Sequence, residues 1–447
     1  MDQEIEHYFK AEEKRQNDGI ELICSENYPS KDTRIAMASI MSAKYAEGYP
    51  GHRYYGGCEN IDAVETIAIK RCCELFHCRF ANVQPHSGSQ ANCAAYHALM
   101  NPGETVLALL LNDGGHLTHG SPVSFSAQTY HFVHYPLGDD GRLDYEKIKE
   151  CLDLENPNLF LAGYSAYPYA IDFRKMRALV DEHNAHSPVH CYFMVDMAHI
   201  AGIVAAGLCQ NPCDYADVVT STTHKTLRGP RGGLILTNDE ELAKKIDKAI
   251  FPYSQGGPLE HVIAAKAVNF REDLKPEFKD YIAKVLANTK ACSDELAKRG
   301  AVVSGSENHL FLMNVVTSFM MNGKAAQLRL EACHITTNKN MIHGDTLKPT
   351  ETSGIRIGFP AVTSRGCSKS EAIEIGDLIY DILSDKAFTP EPYLKRVDAI
   401  VKRWKDVMII ALTFIFTVIS ILAIFLGDIM VTMVDPRISL AAKKEAR

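Results

Sequence analysis

Residues 217–233 form the stretch DVVTSTTHKTLRGPRGG. Its first half is rich in β-branched residues, which favour extended structure, and its second half contains glycines and a proline, which break helices. Lys225, in the middle, is therefore predicted on a turn directly after a strand. Turns at strand ends carry the functional groups of many α/β enzymes.

Lys225 has two interpretations. Hydroxyl groups and arginines surround it in the sequence, and such surroundings can lower the pKa of an ammonium group so that the amine forms a Schiff base. A surface lysine on a loop is the alternative, because most lysines are exposed.

The upstream stretch 191–202, CYFMVDMAHIAG, predicts an apolar strand that ends in Asp196, with His199 three residues later. Pyridoxal phosphate requires a Schiff-base lysine, a carboxylate that keeps the pyridine nitrogen protonated, and donors for its phosphate. Lys225 and Asp196 would meet the first two requirements. A cap or turn role for Asp196 is the alternative.

The composition argues against several classes of protein. A chain of 447 residues with 46% hydrophobic content can bury a large core, and its length suggests two or three domains. A net charge of -8 with scattered basic residues argues against a nucleic-acid partner. The 13 cysteines show no repeating framework, which is typical of reduced thiols in the cytosol, and the acidic start MDQEIEHYFK does not resemble a signal peptide.

No metal site is expected from the spacing of the obvious ligands. Cys209 and Cys213 are close in sequence, and His183, His186 and His190 form a second group. Neither group has a second half at the spacing of a zinc site.

Strands and helices alternate across residues 81–236, which predicts an α/β fold with a mostly parallel, helix-flanked sheet. We expect an N-terminal arm at 1–19, a large cofactor-binding domain at 20–265, a smaller α+β domain at 266–400 and a tail at 401–447.

Two further stretches are candidates for anion binding. HSGSQAN at 86–92 runs into a helical pattern, so its free backbone N–H groups could hold a phosphate, although a plain serine N-cap is the alternative. TSGIRIG at 352–358 places Arg356 on a short strand, where its guanidinium could hold a carboxylate or form a surface ion pair.

Two loops near the start of the chain contain further candidate site residues. Residues 44–57, KYAEGYPGHRYYGG, form a glycine- and tyrosine-rich loop whose Tyr45, Glu47 and Tyr55 offer hydrogen-bonding groups. Ser25, in IELICSENYPS, could cap the helix that follows or face a site.

Taken together, ten stretches in this order resemble the serine hydroxymethyltransferase family, which has the fold of type-I pyridoxal phosphate enzymes. They are IELICSENYPS, KYAEGYPGHRYYGG, NVQPHSGSQAN, GGHLTHGSPV, YSAY, VDMAHIAG, TTHKTLRGPRGG, FPYSQGGP, NKN and TSGIRIG. The resemblance spans residues 20–401, and an ordered set of this size is far more specific than a lone glycine motif.

The resemblance implies a role for each matching position. Lys225 would hold the cofactor as a Schiff base, Asp196 would pair with the pyridine nitrogen, and His116 would stack on the ring. The other cofactor contacts would be Ser165 and His199 near the ring oxygen, Gly88, Ser89 and His224 at the phosphate, Arg231 beside the lysine turn, and Tyr45 and Gly257 from a neighbouring subunit. The substrate would be bound by Ser25 and Arg356, with Glu47 and Tyr55 from the neighbour, and the folate would lie near Leu111, Gly115, Leu117 and Asn340. The catalytic set would be Lys225, Glu47, Asp196, His116 and Tyr55.

The resemblance also implies the reaction. L-Serine and tetrahydrofolate would be interconverted with glycine and 5,10-methylenetetrahydrofolate by an obligate homodimer, with a tetramer left open. Two alternatives stay open: a pyridoxal phosphate aldolase of β-hydroxy amino acids with weak folate use, and a membrane-tethered relative without activity.

The chain departs from the family pattern at three short segments. Residues 349–352, PTET, replace a family Ser-Pro-Phe run near the expected folate region, and Gly358-Phe359-Pro360 replaces Gly-Thr-Pro. Folate binding is therefore less firmly implied than the cofactor chemistry. Tyr253 and Ser254 also differ, ahead of the QGG that would hold the phosphate.

The tail is the largest departure. Residues 407–426, VMIIALTFIFTVISILAIFL, carry no charge, and a helix of this length spans a bilayer core. Lys402, Arg403 and Lys405 precede it and favour a cytoplasmic catalytic part, although basic residues beyond it weaken that preference. A membrane anchor is predicted, and a hydrophobic helix buried in the protein or its dimer is the alternative.

Overall fold

The structure is a computed structural model that describes residues 2–404. The tail and the membrane span predicted at 407–426 lie outside the described residues. Within residues 2–404, no helix combines the length and the apolar character that crossing a bilayer requires.

The described part of the chain contains the following helices and strands. The helices are α1 Gln3–Asp18, α2 Lys31–Met37, α3 Glu59–Phe76, α4 Gly88–Leu99, α5 Phe125–Thr129, α6 Tyr145–Glu155, α7 Phe173–Asn184, α8 Ala201–Ala205, α9 Glu240–Lys248, α10 Glu260–Asp273, α11 Pro276–Lys298, α12 Val315–Phe319, α13 Gly323–Glu331, α14 Pro360–Arg365, α15 Lys369–Ser384 and α16 Glu391–Val401. The strands are β1 Ile20–Glu21, β2 Gly48–Tyr49, β3 His52–Arg53, β4 Phe80–Asn82, β5 Thr105–Leu109, β6 His131–Tyr135, β7 Leu159–Ala162, β8 Tyr192–Asp196, β9 Val218–Thr222, β10 Gly233–Thr237, β11 Val302–Val303, β12 Leu310–Asn314, β13 Ile335–Thr336, β14 Asn338–Asn340 and β15 Gly354–Gly358.

A seven-stranded sheet in the order β4-β10-β9-β8-β7-β5-β6 forms the centre of the fold. Its inner strands are short apolar runs such as β7, in which all four residues are buried, as expected for a parallel sheet covered on both faces. The predicted α/β fold with a mostly parallel sheet is confirmed.

The sheet departs from parallel pairing at one edge. Strand β10 runs antiparallel to both β9 and β4. The chain returns from β9 to β10 through residues 223–232 alone, and this segment is too short for the helical crossover that a parallel neighbour needs. The lysine turn is thus the connection between two antiparallel strands.

The second sheet has four antiparallel strands in the order β11-β12-β15-β14. Strand β1, near the start of the chain, pairs in parallel with β13, so that Ile20 lies opposite Ile335. The N-terminal segment is therefore joined by backbone hydrogen bonds to the part of the chain that carries the small sheet.

Helix α11 contributes to two hydrophobic clusters. Its first half adds Phe278 and Ile282 to the cluster around the large sheet, and its second half adds Cys292 and Leu296 to the cluster around the small sheet. Residues 2–404 belong to a single compact unit. The predicted domain boundary at residue 265 falls inside α10 and stays a prediction.

Candidate active site

The carboxyl ends of β5, β7, β8 and β9 meet at one edge of the large sheet, next to a cavity of about 560 Å³. This volume is within the usual range for a small-molecule site. Many of the predicted site residues line the cavity: Ser25, Leu111, Gly115, His116, Leu117, Ser165, His199, His224, Lys225, Arg231, Asn340 and Arg356.

Lys225 lies on the predicted turn, directly after β9, and is only 8% exposed. Its φ of 46° and that of Arg228, 60°, are in the left-handed region, which costs a residue with a side chain on the order of 1 kcal/mol. The side chain of Asn27 offsets part of that cost, because it donates a hydrogen bond of 2.8 Å to the carbonyl of Lys225.

Electrostatics make the Lys225 amine more reactive than an exposed one. Burial and the nearby Arg356 and Arg231 lower its pKa, Asp196 opposes the shift, and the resulting pKa is about 8. A larger fraction of this amine is therefore neutral near pH 7 than for an ordinary lysine, and a Schiff base forms from the neutral amine.

Asp196, the last residue of β8, is held as a carboxylate. One carboxylate oxygen accepts hydrogen bonds from Asn92 Nδ2 at 2.9 Å and from His119 Nε2 at 3.2 Å, and the other accepts from the Ala198 N–H at 3.0 Å. Burial opposes ionisation, but the hydrogen bond from His119 and the neighbouring positive charges hold the pKa of Asp196 below its usual value. A buried, ionised carboxylate of this kind can pair with a cationic heterocycle.

His116 is fixed by Thr118. The Thr118 N–H donates to His116 Nδ1 at 3.2 Å, and the Thr118 hydroxyl lies 2.7 Å from the same nitrogen. Nδ1 is therefore an acceptor, which leaves the proton of the neutral ring on Nε2. Burial lowers the pKa of His116 to about 4, so the ring on the cavity wall is uncharged at neutral pH.

The predicted phosphate segment lies at the start of α4. Ser87 caps this helix by accepting from the Gln90 N–H at 3.2 Å, so the alternative of a serine N-cap is correct. Cap and anion site are compatible here, because the first N–H groups of the helix, from Gly88 and Ser89 onward, have no partner within the helix.

Two buried polar atoms near this helix start also lack partners among the described residues. They are Thr222 Oγ1 and His224 Nδ1. Gly88 packs against Thr222 so closely that a Cβ at position 88 would come within 2.6 Å of its methyl group. A phosphate at this point would supply the missing partners, and glycine is required for the close approach.

Arg356 lies on β15, between Leu312 of β12 and Asn338 of β14. Its guanidinium donates to the carbonyl of Ser165 at 2.6 Å and to Asn338 Oδ1 at 3.3 Å. Within residues 2–404 the structure shows no ion pair for Arg356, so the interpretation as a surface ion pair is not supported. An arginine that lines a cavity and has no carboxylate partner can bind an anionic ligand.

The residues predicted for the folate line the mouth of the same cavity. Leu117 is 51% exposed and Leu111 is 38% exposed, and Asn340 lines the cavity together with Lys339 and Met341. The altered segment 349–352 also reaches the cavity, through Pro349 and Thr352.

Another group of predicted residues does not line this cavity within one chain. Tyr45 and Tyr55 pack edge to face at 5.1 Å, and a Cβ at Gly257 would lie 3.2 Å from the Tyr45 ring. Glu47 lies beside Gly256 in the same cluster. Both tyrosines are about half exposed, at 54% and 47%. Their predicted roles require a second subunit and stay predictions.

The sequence did not predict the roles of several residues that support the site. His119 and Asn92 hold Asp196, and Asn27 holds the lysine turn. His119 could have been found, because GGHLTHG contains two histidines on one strand-end loop. Asn27 could not, because its partners are far away in sequence.

The residues present fit pyridoxal phosphate. The partly neutral lysine and the uncharged histidine line the cavity, and the ionised aspartate is close enough to interact with both. The start of α4 packs at Gly88 against Thr222, beside the lysine turn. Asp196, Gly88 and Ser89 are not among the residues that line the cavity itself. A sequence model of the family described as serine hydroxymethyltransferase matches residues 1–379. The chain therefore belongs to the serine hydroxymethyltransferase family of pyridoxal phosphate-dependent transferases.

Proposed function

We propose that this enzyme interconverts L-serine plus tetrahydrofolate and glycine plus 5,10-methylenetetrahydrofolate. The observation that carries the proposal is the pairing, on the walls of one cavity, of the Lys225 amine with the Arg356 guanidinium. An α-amino acid presents an amino group and a carboxylate at short separation, and these two side chains match the two groups.

Pyridoxal phosphate, when bound, supplies a cationic ring that accepts the electrons of a bond broken at the amino-acid α-carbon. Asp196 would keep that ring cationic, the start of α4 with His224 would hold the phosphate, and His116 would pack against the ring. Ser165 and His199 line the same cavity as Lys225 and would contact the ring oxygen.

Arg356 would bind the substrate carboxylate, assisted by Ser25. Because Nη1 donates to the Ser165 carbonyl and Nε donates to Asn338 Oδ1, the orientation of the remaining N–H groups is fixed before the substrate arrives. This preorganisation lowers the entropic cost of binding. Lys225 Nζ, with a pKa near 8, can give up and take back a proton at neutral pH.

The folate would enter through the mouth of the cavity. The exposed Leu111 and Leu117 offer apolar contact to a flat heterocycle, and the Asn340 amide offers both a donor and an acceptor. Pro349 and Thr352, from the segment that departs from the family pattern, line the same cavity.

The proposal includes an obligate homodimer. Glu47, which handles the proton of the serine hydroxymethyl group in this scheme, must lie within hydrogen-bond reach of that hydroxyl. In one chain it lies outside the cavity, in the cluster with Tyr45, Tyr55 and Gly257. The exposed tyrosines of this cluster are suited to an interface that brings Glu47 to the neighbouring site.

The decisive experiment compares serine cleavage with and without tetrahydrofolate in the purified full-length protein. The proposal expects cleavage that depends strongly on folate. Equal rates in its presence and absence would instead indicate an aldolase of β-hydroxy amino acids. Lys225→Ala should abolish cleavage and the visible absorbance of bound cofactor, whereas Lys245→Ala on the exposed face of α9 should keep both.

The cellular location is proposed from the sequence alone. We expect the catalytic part in the cytoplasm, held at a membrane by residues 407–426. Fractionation of cells that produce the full chain or residues 1–404 tests this expectation. The full chain should be recovered with membranes and released by detergent but not by salt, and the short form should stay in the supernatant. Recovery of both forms in the supernatant would contradict the anchor.

A further inference from the structure

A network of buried hydrogen bonds surrounds the main chain at Glu47, and its centre is Arg53 on β3. The Arg53 side chain is only 3% exposed, although its guanidinium always carries a charge. A buried charge of this kind is stable only when its N–H groups have partners. The partners of Arg53 therefore show what this side chain holds in place.

Arg53 binds the carbonyl groups on either side of Glu47. Its Nη1 donates to the carbonyls of Ala46 and Gly48, both at 2.8 Å. The carbonyl of Glu47 itself accepts from the Tyr54 N–H at 3.0 Å. Three consecutive carbonyls are thus bonded, and a change in the backbone dihedral angles at Glu47 would break at least one of these hydrogen bonds.

Gln84, which follows β4, binds the same loop. Its Nε2 donates to the Gly48 carbonyl at 3.0 Å and to Glu65 Oε1 at 2.8 Å. Glu65 also accepts from Arg53 Nη2. Arg53 and Gln84 therefore share two acceptors, one on the loop and one on α3.

Helix α3 anchors the network. Asp62 and Glu65 are three positions apart and so lie on one face of this helix. Asp62 accepts from Arg53 Nε at 2.8 Å and from the Gly51 N–H, in the turn between β2 and β3, at 2.8 Å. Glu260, at the start of α10, lies 3.8 Å from Arg53 Nη1. Carboxylates on two helices that pack together thus fix the direction of the guanidinium.

We infer that Arg53 and Gln84 are positioning residues for Glu47, and the inference rests on the role of Glu47 in the proposed function. In that scheme Glu47 acts on a hydroxyl bound in the neighbouring subunit, so its carboxylate must be presented at a fixed point outside its own chain. Arg53 and Gln84 do not line the cavity of their own chain, and both act on Glu47 through the main chain. A displacement of about 1 Å at a reacting group can slow a reaction roughly 100-fold.

The first test measures the loop itself, without turnover. Arg53→Lys keeps the positive charge beside Glu65 but loses the planar fork that reaches both carbonyls. In the full-length protein loaded with cofactor, amide hydrogen exchange of residues 45–55 should become at least about tenfold faster. Gln84→Leu removes one donor without a change of charge and should accelerate the same exchange less.

The matched control for this measurement is Arg79→Gln. Arg79 is exposed and donates to the Asn238 carbonyl, away from the loop, so this variant should exchange as the unmodified chain does. Exchange of residues 45–55 that is unchanged in both Arg53→Lys and Gln84→Leu would overturn the inference.

Serine cleavage then shows whether the positioning acts through Glu47. Arg53→Lys should lower kcat roughly 10- to 100-fold and keep the absorbance of bound cofactor. Added to Glu47→Gln, the same substitution should cost less than about twofold more, because misplacing a group that has already lost its function has no further effect. An equal loss in both backgrounds would show a general structural role and overturn the inference.

Failure of the proposed function gives a different pattern. If Glu47→Gln cleaves serine as fast as the unmodified chain, the assigned role of Glu47 is wrong, and this inference is wrong with it. If Glu47→Gln is slow and Arg53→Lys is fast, only the inference is wrong. Thermal unfolding shows whether each variant folds, and if Arg53→Lys does not, both measurements are made on Gln84→Leu, which keeps every charged side chain.

Discussion

The side-chain amide of Asn27 donates a hydrogen bond of 2.8 Å to the main-chain carbonyl of Lys225, although 198 positions of sequence separate the two residues. The same amide group donates to the Tyr281 hydroxyl at 2.8 Å, and Asn27 Oδ1 accepts from the Ser364 hydroxyl at 2.6 Å. The strained lysine turn is thereby joined to α11 and to α14. Its geometry depends on residues from three distant parts of the chain.

Cofactor loading should depend on pH through Lys225. Since burial lowers its pKa to about 8, half of the amine is neutral near pH 8, and the neutral fraction levels off about one pH unit higher. The rate at which cofactor-stripped protein recovers its visible absorbance should follow this profile between about pH 6 and pH 9.5. A rate that still rose tenfold per pH unit above pH 9 would indicate an ordinary lysine and contradict the assigned electrostatics.

Substitution Arg356→Gln should impair the substrate and spare the cofactor. The variant loses a charged partner for the amino-acid carboxylate, and such hydrogen bonds contribute about 1.5–3 kcal/mol, so kcat/KM for serine should fall roughly 10- to 100-fold. The absorbance of bound cofactor should remain. Arg142→Gln, which removes a surface ion pair with Glu307, is the matched control and should change neither quantity. Loss of cofactor absorbance in Arg356→Gln would show that this arginine supports the cofactor instead.

Substitution Lys266→Met should loosen the segment that leads to the phosphate site. The buried Lys266 ammonium donates to the carbonyls of Val83, Pro85 and Gly233 at 2.6, 3.2 and 2.8 Å. Methionine removes this donor from all three carbonyls, and within the described part of the chain only the Pro85 carbonyl keeps another hydrogen bond, from the Gly233 N–H at 3.0 Å. The free energy of unfolding should therefore fall by about 3 kcal/mol. Denaturant unfolding measures this loss, and Lys245→Met, on an exposed face, should leave stability unchanged. Equal stability of both variants would contradict the role of the ammonium.

Substitution Glu21→Gln should stabilise the protein in a pH-dependent manner. Glu21 is 4% exposed, and burial, together with the charge of Glu26, raises its pKa from 4.5 to about 8. Between these values the folded state binds a proton that the unfolded state has lost, so Glu21 makes stability fall as pH rises from about 4.5 to about 8. Because glutamine does not titrate, the Glu21→Gln variant should not lose this part of its stability as the pH rises.

Chemical unfolding at pH 5 and pH 8 tests the sign. The advantage of Glu21→Gln over the unmodified chain should be larger at pH 8, by on the order of 1–3 kcal/mol. Glu277→Gln, in the exposed first turn of α11, should show no such trend. An advantage that shrank with rising pH would mean that Glu21 is ionised in the folded protein.

The sequence predicted those parts of the site that follow from local pattern. Apolar runs that end in polar residues placed Lys225 and Asp196 at strand ends, and parallel pairing brings such ends together. The cap at Ser87 and the helix that follows were also predictable, because both depend on neighbouring residues.

Long-range partners could not be predicted in this way. The pairing of β1 with β13 and the hydrogen bond from Asn27 depend on which distant surfaces meet, and neither leaves a periodic trace. The antiparallel β10 is an intermediate case, since the short segment 223–232 excludes a crossover and could have shown the direction of the strand. The contributions of Glu47 and Tyr55 require a second chain, which no pattern within one chain describes.

Helix α11 should couple the unfolding of the two sheets. Because one continuous helix supplies side chains to both hydrophobic clusters, melting of either end removes packing from the other. Residues 2–404 should accordingly denature in a single cooperative transition, with one calorimetric peak for both sheets. The cavity at the edge of the large sheet would then be lost all at once on heating, without a partly folded form that keeps Lys225 and has lost Arg356.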